Sequence, residues 1–113
     1  MNVLVIEPMK EPYVKEMDGN LKTLQGFLGG LIQVLYPFEA EHIALICIDE
    51  GKLLGLPLNR ALRDENGDIY DIISGTFLIC SAPPDSENFE SLSDEQIWKY
   101  TKEFGHIEIY FRR

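Results

Sequence analysis

The sequence IALICI, residues 43–48, is a continuous run of aliphatic and β-branched side chains. Apolar residues at every position, rather than at alternate ones, predict a strand that is buried on both faces. Leu31–Tyr36, an apolar segment ended by Pro37, predicts the strand that precedes it. Glu50-Gly51 predicts a two-residue turn, after which Lys52–Leu54 would return as a further strand. The centre of the chain therefore indicates an antiparallel sheet.

Toward the N-terminus, the pattern predicts a hairpin followed by a helix. Val3–Ile6 is a short apolar strand, and Tyr13–Met17 alternates as its returning partner would. From Leu21 onward, apolar residues recur at helical spacing, and Asn20 offers an N-cap. Gly29-Gly30 ends this helix because glycine readily adopts the left-handed cap conformation.

Toward the C-terminus, the sequence predicts three more strands and a second helix. Asn66-Gly67 is a strong hairpin signal. Ser93, followed three residues later by Gln96, fits a capping box at a helix start, and Gly105 would end that helix. The predicted strands are Ile69–Ile72, Gly75–Cys80 and the alternating segment Ile107–Phe111.

Short strands joined by hairpin turns, with only two helices, predict an α+β fold in a single domain over residues 1–113. The sheet would be antiparallel or mixed, with about five to seven short strands and both helices packed on one face. A doubly wound parallel sheet is excluded, since it requires a helix between most of its strands.

The net charge of the chain limits the classes of partner that it can bind. The formal net charge is −9, from 19 acidic and 10 basic residues. A negative surface repels phosphate backbones and anionic membranes, so direct nucleic-acid binding and membrane attachment are disfavoured. We expect the charge to serve solubility. Mimicry of DNA is the alternative, although interspersed lysines interrupt the acidic residues. The N-terminal apolar run is too short for a signal peptide, which favours a cytoplasmic protein.

The metal-binding and redox-active residue types are sparse. Cys47 and Cys80 lie inside apolar runs without a partner at metal-ligand spacing. We predict free, buried thiols, and a disulfide between neighbouring strands is the alternative. Of the two histidines, His106 follows Glu103 at a ligand-like spacing that Gly105 interrupts. No P-loop, dinucleotide fingerprint or nucleophile elbow is present, so we expect no catalytic residue, metal or cofactor.

Arg60 is the most informative residue because it lies in an apolar stretch, between residues 56–58 and 61–62. A guanidinium among apolar neighbours is costly unless it has partners. One interpretation pairs Arg60 with Asp68 or Asp71 across the predicted hairpin, as a structural contact. The other directs its planar fork at a phosphate, a carboxylate or a purine.

The ligand-binding interpretation gathers polar and aromatic side chains around Arg60. An asparagine amide and two hydroxyls could supply hydrogen bonds. Tyr36, Phe38 and Tyr70 could supply stacking surface, although each aromatic also fits a core position. The predicted ligand-binding residues are Asn59, Arg60, Arg63, Tyr70, Ser74 and Thr76.

Several motifs in this chain resemble an uncharacterised domain family that is common in phages and mobile elements of Firmicutes. They are GLPLNRAL at residues 55–62, IYDI at 69–72 and GTF at 75–77, together with VLVIEP at 3–8 and LQGFLGG at 24–30. The resemblance extends over nearly the whole chain. It implies a viral or conjugative setting inside a bacterial cytosol, and it implies no catalytic residues.

In that setting, we expect a non-enzymatic binding protein. The first hypothesis is an anti-defence factor that sequesters a nucleotide-derived immune signal, such as a cyclic nucleotide or an ADP-ribose derivative. A chain this small would most easily build the site between protomers, so we expect a homo-oligomer. The alternative is an acidic protein–protein inhibitor of a host defence or nucleic-acid enzyme. A nucleotide-cleaving enzyme is the third hypothesis.

Overall fold

The computed structural model describes residues 1–38 and 41–110, which form seven strands and two helices. In chain order the elements are β1 (Asn2–Ile6), β2 (Tyr13–Glu16), α1 (Leu21–Leu28), β3 (Ile32–Leu35), β4 (Ile43–Ile48), β5 (Leu58–Arg63), β6 (Ile69–Ser74), β7 (Phe77–Ser81) and α2 (Asp94–Glu103).

The strands form two antiparallel sheets, which confirms the predicted α+β class. The larger sheet has five strands in the order β2-β1-β7-β4-β3, and β5 and β6 form a separate two-stranded hairpin. All strand pairs in both sheets are antiparallel. Every residue of β4 and β7 is buried, as the apolar run at residues 43–48 predicts for a central strand.

The two helices cover opposite faces of the large sheet, so the prediction that both pack on one face is wrong. Leu24 of α1 packs in a cluster with Val3 and Val5 of β1. Tyr100 of α2 packs in a second cluster with Leu4 and other side chains of the opposite face, and the β5–β6 hairpin contributes to the same layer. Because the central strands are apolar on both faces, each face of the sheet must be packed against another layer of secondary structure.

Three of the four predicted helix-end signals are confirmed, whereas the predicted cap at Gly105 is wrong, since Phe104 caps α2 with φ of −106°. The Asn20 side chain accepts the Thr23 amide at 2.8 Å, and Gly29 ends α1 with φ of 95° in the left-handed region. Ser93 and Gln96 form a complete capping box at the start of α2. Such caps satisfy backbone groups that the helix itself leaves unpaired.

The predicted return strand over Lys52–Leu54 is wrong. After β4 the chain makes tight turns, in which the Leu54 amide donates to Glu50 and the Leu56 amide to Gly51. Strand β4 already pairs with β3 on one side and β7 on the other. Because neither edge of β4 is open, a hairpin partner has no place to pair.

The segment after α2 also differs from its prediction. Residues 107–110 form no strand, and Phe111 lies outside the described residues. The alternation is present but inverted, since Ile109 is 63 % exposed whereas the side chain of Glu108 is only 12 % exposed. The carboxylate turns inward because three hydrogen-bond donors face it, as described below.

Both cysteines are free and buried, as predicted. Cys47 and Cys80 belong to the apolar clusters on opposite faces of the large sheet, which keeps their thiols apart. Burial raises the pKa of Cys47 to about 11 and that of Cys80 to about 12, so both thiols are protonated at neutral pH. Within the described residues, no helix has the length and apolar content needed to cross a membrane.

Candidate functional site

Asn59 and Arg60 lie inside the protein at the start of β5, where they are 0 % and 1 % exposed. The Asn59 amide Nδ2 donates to the backbone carbonyls of Ile6 and Gly75, both at 2.9 Å. Its Oδ1 accepts a hydrogen bond from Arg60 Nη1 at 2.7 Å. We call this hydrogen-bonded pair the Asn59–Arg60 node.

The Arg60 guanidinium joins three parts of the chain through backbone carbonyls. Nε donates to Phe104 at the end of α2 at 3.0 Å, and Nη2 donates to Lys10 in the β1–β2 connection at 2.6 Å. Nη1 also reaches the carbonyl of Glu7 at 3.4 Å. Burial lowers the pKa of Arg60, but an arginine remains charged at neutral pH. The node therefore holds the hairpin, α2 and the β1–β2 connection together.

The pairing of Arg60 with Asp68 or Asp71 is wrong, because Asp71 instead forms an ion pair with Lys52 and Asp68 is exposed. Arg60 instead donates four hydrogen bonds to other described residues, which supports a structural contact with different partners. Three of its partners are backbone carbonyl oxygens, which every residue carries, so no residue type in the sequence could mark those three.

The six predicted ligand-binding residues do not converge on one surface. Asn59 and Arg60 form the buried node, whereas Arg63 and Tyr70 line an open groove. Ser74 lies in the floor of a second, smaller cavity, and Thr76 is half-buried and lines neither. Binding of a ligand by these residues stays a prediction, and only Arg63 and Tyr70 are placed to share one.

The groove has a volume of about 790 Å³ and lies between α2, the chain after β3 and the β5–β6 turn. Two of the aromatic side chains that the sequence singles out, Tyr36 and Tyr70, are each 57 % exposed there. Phe38 also lines it, but packs against Tyr100 with ring centroids 5.0 Å apart. The groove thus offers aromatic surface on both sides.

The part of the groove lining that the structure describes is acidic, with four carboxylates against two cations. The carboxylates are Glu41, Asp64, Glu65 and Glu103, and the cations are Arg63 and Lys99. Both cations already have carboxylate partners: Arg63 pairs with Glu108 at 2.7 Å, and Lys99 pairs with Glu41, which also accepts the Tyr100 hydroxyl. The pKa of Glu41 is lowered by those two hydrogen bonds. Among the described lining residues, neither cation is left over for an anionic ligand.

One carboxylate, Glu108, fastens the segment after α2 to β5. It accepts Arg63 Nη2 at 2.7 Å, the Ala61 amide at 3.0 Å and the Tyr110 hydroxyl at 2.6 Å. Burial alone would raise the pKa of Glu108, but these three hydrogen bonds outweigh it and lower the pKa below its ordinary value of 4.5. Burial, together with the hydrogen bond to this carboxylate, raises the pKa of Tyr110 to about 12.

Glu108 should make stability depend on pH. Because its folded pKa lies below 4.5, the carboxylate stabilises the fold above the unfolded pKa and ceases to do so as pH falls through the folded pKa. We expect Glu108→Gln to cost about 1–2 kcal/mol at pH 7 through loss of charge-assisted hydrogen bonds. The difference from wild type should shrink below about pH 4. Thermal melts between about pH 3 and 7 measure this, with Glu16→Gln on exposed β2 as control. A pH-independent difference would contradict it.

The sequence pattern did not predict the contributions of α2 and of the chain after β3 to this groove. Lys99 and Glu103 stand one turn apart beside the buried Tyr100, so helical periodicity places them along the margin of the packed face. That signal was available in the sequence. Their proximity to Glu41 depends on the tertiary fold and was not.

Among residues 1–38 and 41–110, no group of three or more histidine, cysteine, aspartate or glutamate side chains could hold a metal ion. The candidate site therefore consists of aromatic rings, carboxylates and paired cations.

Comparison with known proteins identifies a family but no characterised relative. The family model described as a domain of unknown function, DUF3846, matches residues 1–105. No curated protein matches the chain, and no solved structure does. The match includes β1 to β7, all of α2 and the Asn59–Arg60 node, and it ends before Glu108. The chain belongs to the DUF3846 family of domains of unknown function.

Proposed function

We propose that this protein is a non-catalytic binding protein whose groove docks a basic segment of a partner protein. The observation that carries this proposal is the combination of exposed tyrosine rings with uncompensated carboxylates in one groove. Arginine and lysine side chains can stack on tyrosine faces while their charges pair with carboxylates. A basic segment therefore fits both features of the lining.

The carboxylates that remain for a partner are on the outer parts of the groove. Glu65 and Glu103 are both exposed, and neither forms an ion pair within the described residues. Tyr36 and Tyr70 present their rings in the same groove. The overall charge of −9 would also speed the approach of a basic partner through long-range attraction.

Sequestration of a nucleotide-derived signal has less support. That hypothesis relied on Arg60, which is 1 % exposed and engaged with backbone carbonyls. A phosphate in the groove would meet four carboxylates and two cations that are already paired. The acidic inhibitor of a host nucleic-acid enzyme is the better candidate, since such enzymes carry basic surfaces. The phage setting and the homo-oligomer remain hypotheses.

The absence of an enzymatic role is part of the proposal. Both thiols are protonated and buried, so neither is poised as a nucleophile. The groove carboxylate Glu41 has a lowered rather than a raised pKa, which does not suit a general acid.

A peptide titration tests the proposal. A fluorescent peptide of alternating arginine and glycine should bind saturably and lose affinity as salt rises from about 0.05 to 0.5 M. Glu103→Lys should weaken binding about fivefold, since one reversed charge at an exposed rim is worth on the order of 1 kcal/mol. This lysine would stand in the last turn of α2, where a cation suits the helix dipole.

The matched control is Glu16→Lys on β2, at the opposite edge of the large sheet from β3. It makes the same change in net charge and should leave affinity within about twofold of wild type. Equal losses in both variants would reduce the binding to non-specific charge attraction. Binding of cyclic AMP or ADP-ribose, without binding of the basic peptide, would overturn the proposal in favour of nucleotide sequestration.

A further inference from the structure

A second cavity, of about 260 Å³, lies where the β5–β6 hairpin meets β3, β4 and the turn after β4. It shares no lining residue with the groove. Its floor is formed by Cys47, Ile73 and Ser74, each 4 % exposed. Its rim carries the charged side chains of Glu50, Lys52 and Asp71.

The cavity wall on the turn side is held closely against the hairpin. A Cβ on Gly51 would lie 3.0 Å from the backbone carbonyl of Ser74, so only glycine allows this approach without a shift. The Leu54 and Leu56 amides bond back to Glu50 and Gly51 and keep the turn compact. The cavity is therefore a preformed feature of the fold.

The rim offers one positive and one negative group side by side. Lys52 Nζ lies 2.5 Å from Asp71 Oδ1, and the two side chains are 56 % and 35 % exposed. The Ile72 amide also donates to Asp71 Oδ1, at 2.8 Å. Oδ1 therefore accepts both of the hydrogen bonds that described residues donate to the Asp71 carboxylate. Oδ2 retains its lone pairs and can accept a hydrogen bond from an ammonium group. The lysine has three donors, of which this pair uses one.

We propose that this cavity binds a small zwitterion with an apolar side chain, in chemical class an α-amino acid. The ligand carboxylate would receive hydrogen bonds from Lys52, and its ammonium group would donate to Asp71. The side chain would enter toward Cys47 and Ile73, which are buried at the base of the cavity. Both charges of the ligand then find partners, and its apolar part leaves water.

The volume of the cavity and the charges on its rim favour an α-amino acid over other classes of ligand. Pockets for drug-sized ligands begin at about 300 Å³, and this cavity of 260 Å³ is slightly smaller. With two carboxylates and one lysine on the rim, a purely anionic ligand would be repelled. The raised pKa of Cys47, about 11, keeps the thiol in the floor protonated, which favours reversible binding over covalent attachment.

The experiment is a titration of the isotope-labelled protein, followed by amide NMR, with leucine and two analogues that each lack one charge. Leucine should shift the amides of Cys47, Ile73 and Ser74 saturably, with a Kd of about 1 mM or tighter. 4-Methylpentanoic acid lacks the ammonium group and 3-methylbutan-1-amine lacks the carboxylate. Each should bind about tenfold more weakly, because one rim charge is left without a ligand partner.

Two rim variants locate the site. Lys52→Met and Asp71→Asn should each weaken leucine binding about tenfold, whereas Lys22→Met on exposed α1 should leave it unchanged. The proposal is overturned if leucine shifts none of the three amides at about 20 mM, or if the analogues bind as well as leucine. Equal binding by all three variants would also overturn it. The test of the groove proposal is independent of this one, because the groove and this cavity share no lining residue.

Discussion

Arg60→Ala should lower the free energy of unfolding by about 3 kcal/mol or more, because it removes the Arg60 donors from the Phe104 and Lys10 carbonyls and from the Asn59 side chain. For a chain of 113 residues, this corresponds to a fall in Tm on the order of 10 °C. Arg60→Lys should lose somewhat less, since one ammonium group retains the charge but cannot span the same acceptors. Thermal and urea denaturation measure both effects.

Arg63→Ala is the matched control, because it removes the same residue type three positions along β5. Its side chain is 44 % exposed and forms an ion pair with Glu108, so we expect a loss below about 1 kcal/mol. If Arg60→Ala melts within about 3 °C of wild type, the node is not what holds the three segments together. In that case Arg60 would again be a candidate for contact with a ligand.

The sequence predicts those parts of the fold that depend on neighbours along the chain. The N-cap at Asn20, the glycine cap at Gly29 and the capping box of Ser93 and Gln96 each involve residues within one helical turn. The sequence also predicts strand β4 over its full length, because the apolar character of residues 43–48 is local. These features follow from periodicity and side-chain chemistry alone.

The features that the sequence does not predict are set by pairing between distant segments. Lys52–Leu54 has a plausible hairpin turn before it, yet β3 and β7 occupy both edges of β4. The alternation around Glu108 is real, but its direction is set by Arg63 and Ala61, which lie more than forty residues earlier. In both cases the structure depends on which distant segment pairs with the residue, and the local sequence pattern does not identify that segment.

The candidate site shows the same division. The sequence correctly marks Arg60 as a residue that needs partners, because a buried charge is costly whatever surrounds it. It cannot say that the partners are carbonyls, so a buried structural arginine and a ligand-binding one look alike. Tyr36 and Tyr70 were singled out as stacking surfaces, and they do share one groove. The acidity of that groove depends on α2, which meets the hairpin only in the folded protein.

Asn59→Leu should also destabilise the protein by about 3 kcal/mol, although it removes no charge. The amide satisfies the carbonyls of Ile6 and Gly75 in a region without solvent exposure. A leucine of similar size leaves both acceptors buried without a donor, and each unsatisfied group costs about 1–3 kcal/mol. Asn88→Leu, in an exposed loop, is the control and should change stability by no more than about 0.5 kcal/mol. A small effect at Asn59 would mean that water replaces the lost donor.

The double variant of Asn59→Leu with Arg60→Lys tests whether the node acts as a unit. Because Arg60 Nη1 donates to Asn59 Oδ1 at 2.7 Å, removal of either partner already disrupts the shared bond. The combined loss should therefore be smaller than the sum of the single losses, by about 1–2 kcal/mol. A stabilising osmolyte can keep the double variant folded for the measurement. Strict additivity would show two independent contacts. If Asn59 and Arg60 served mainly to bind a ligand, each single variant would change stability little and the two changes would not be coupled. The double-mutant cycle therefore separates the structural role of this pair from the binding role that the sequence also permits.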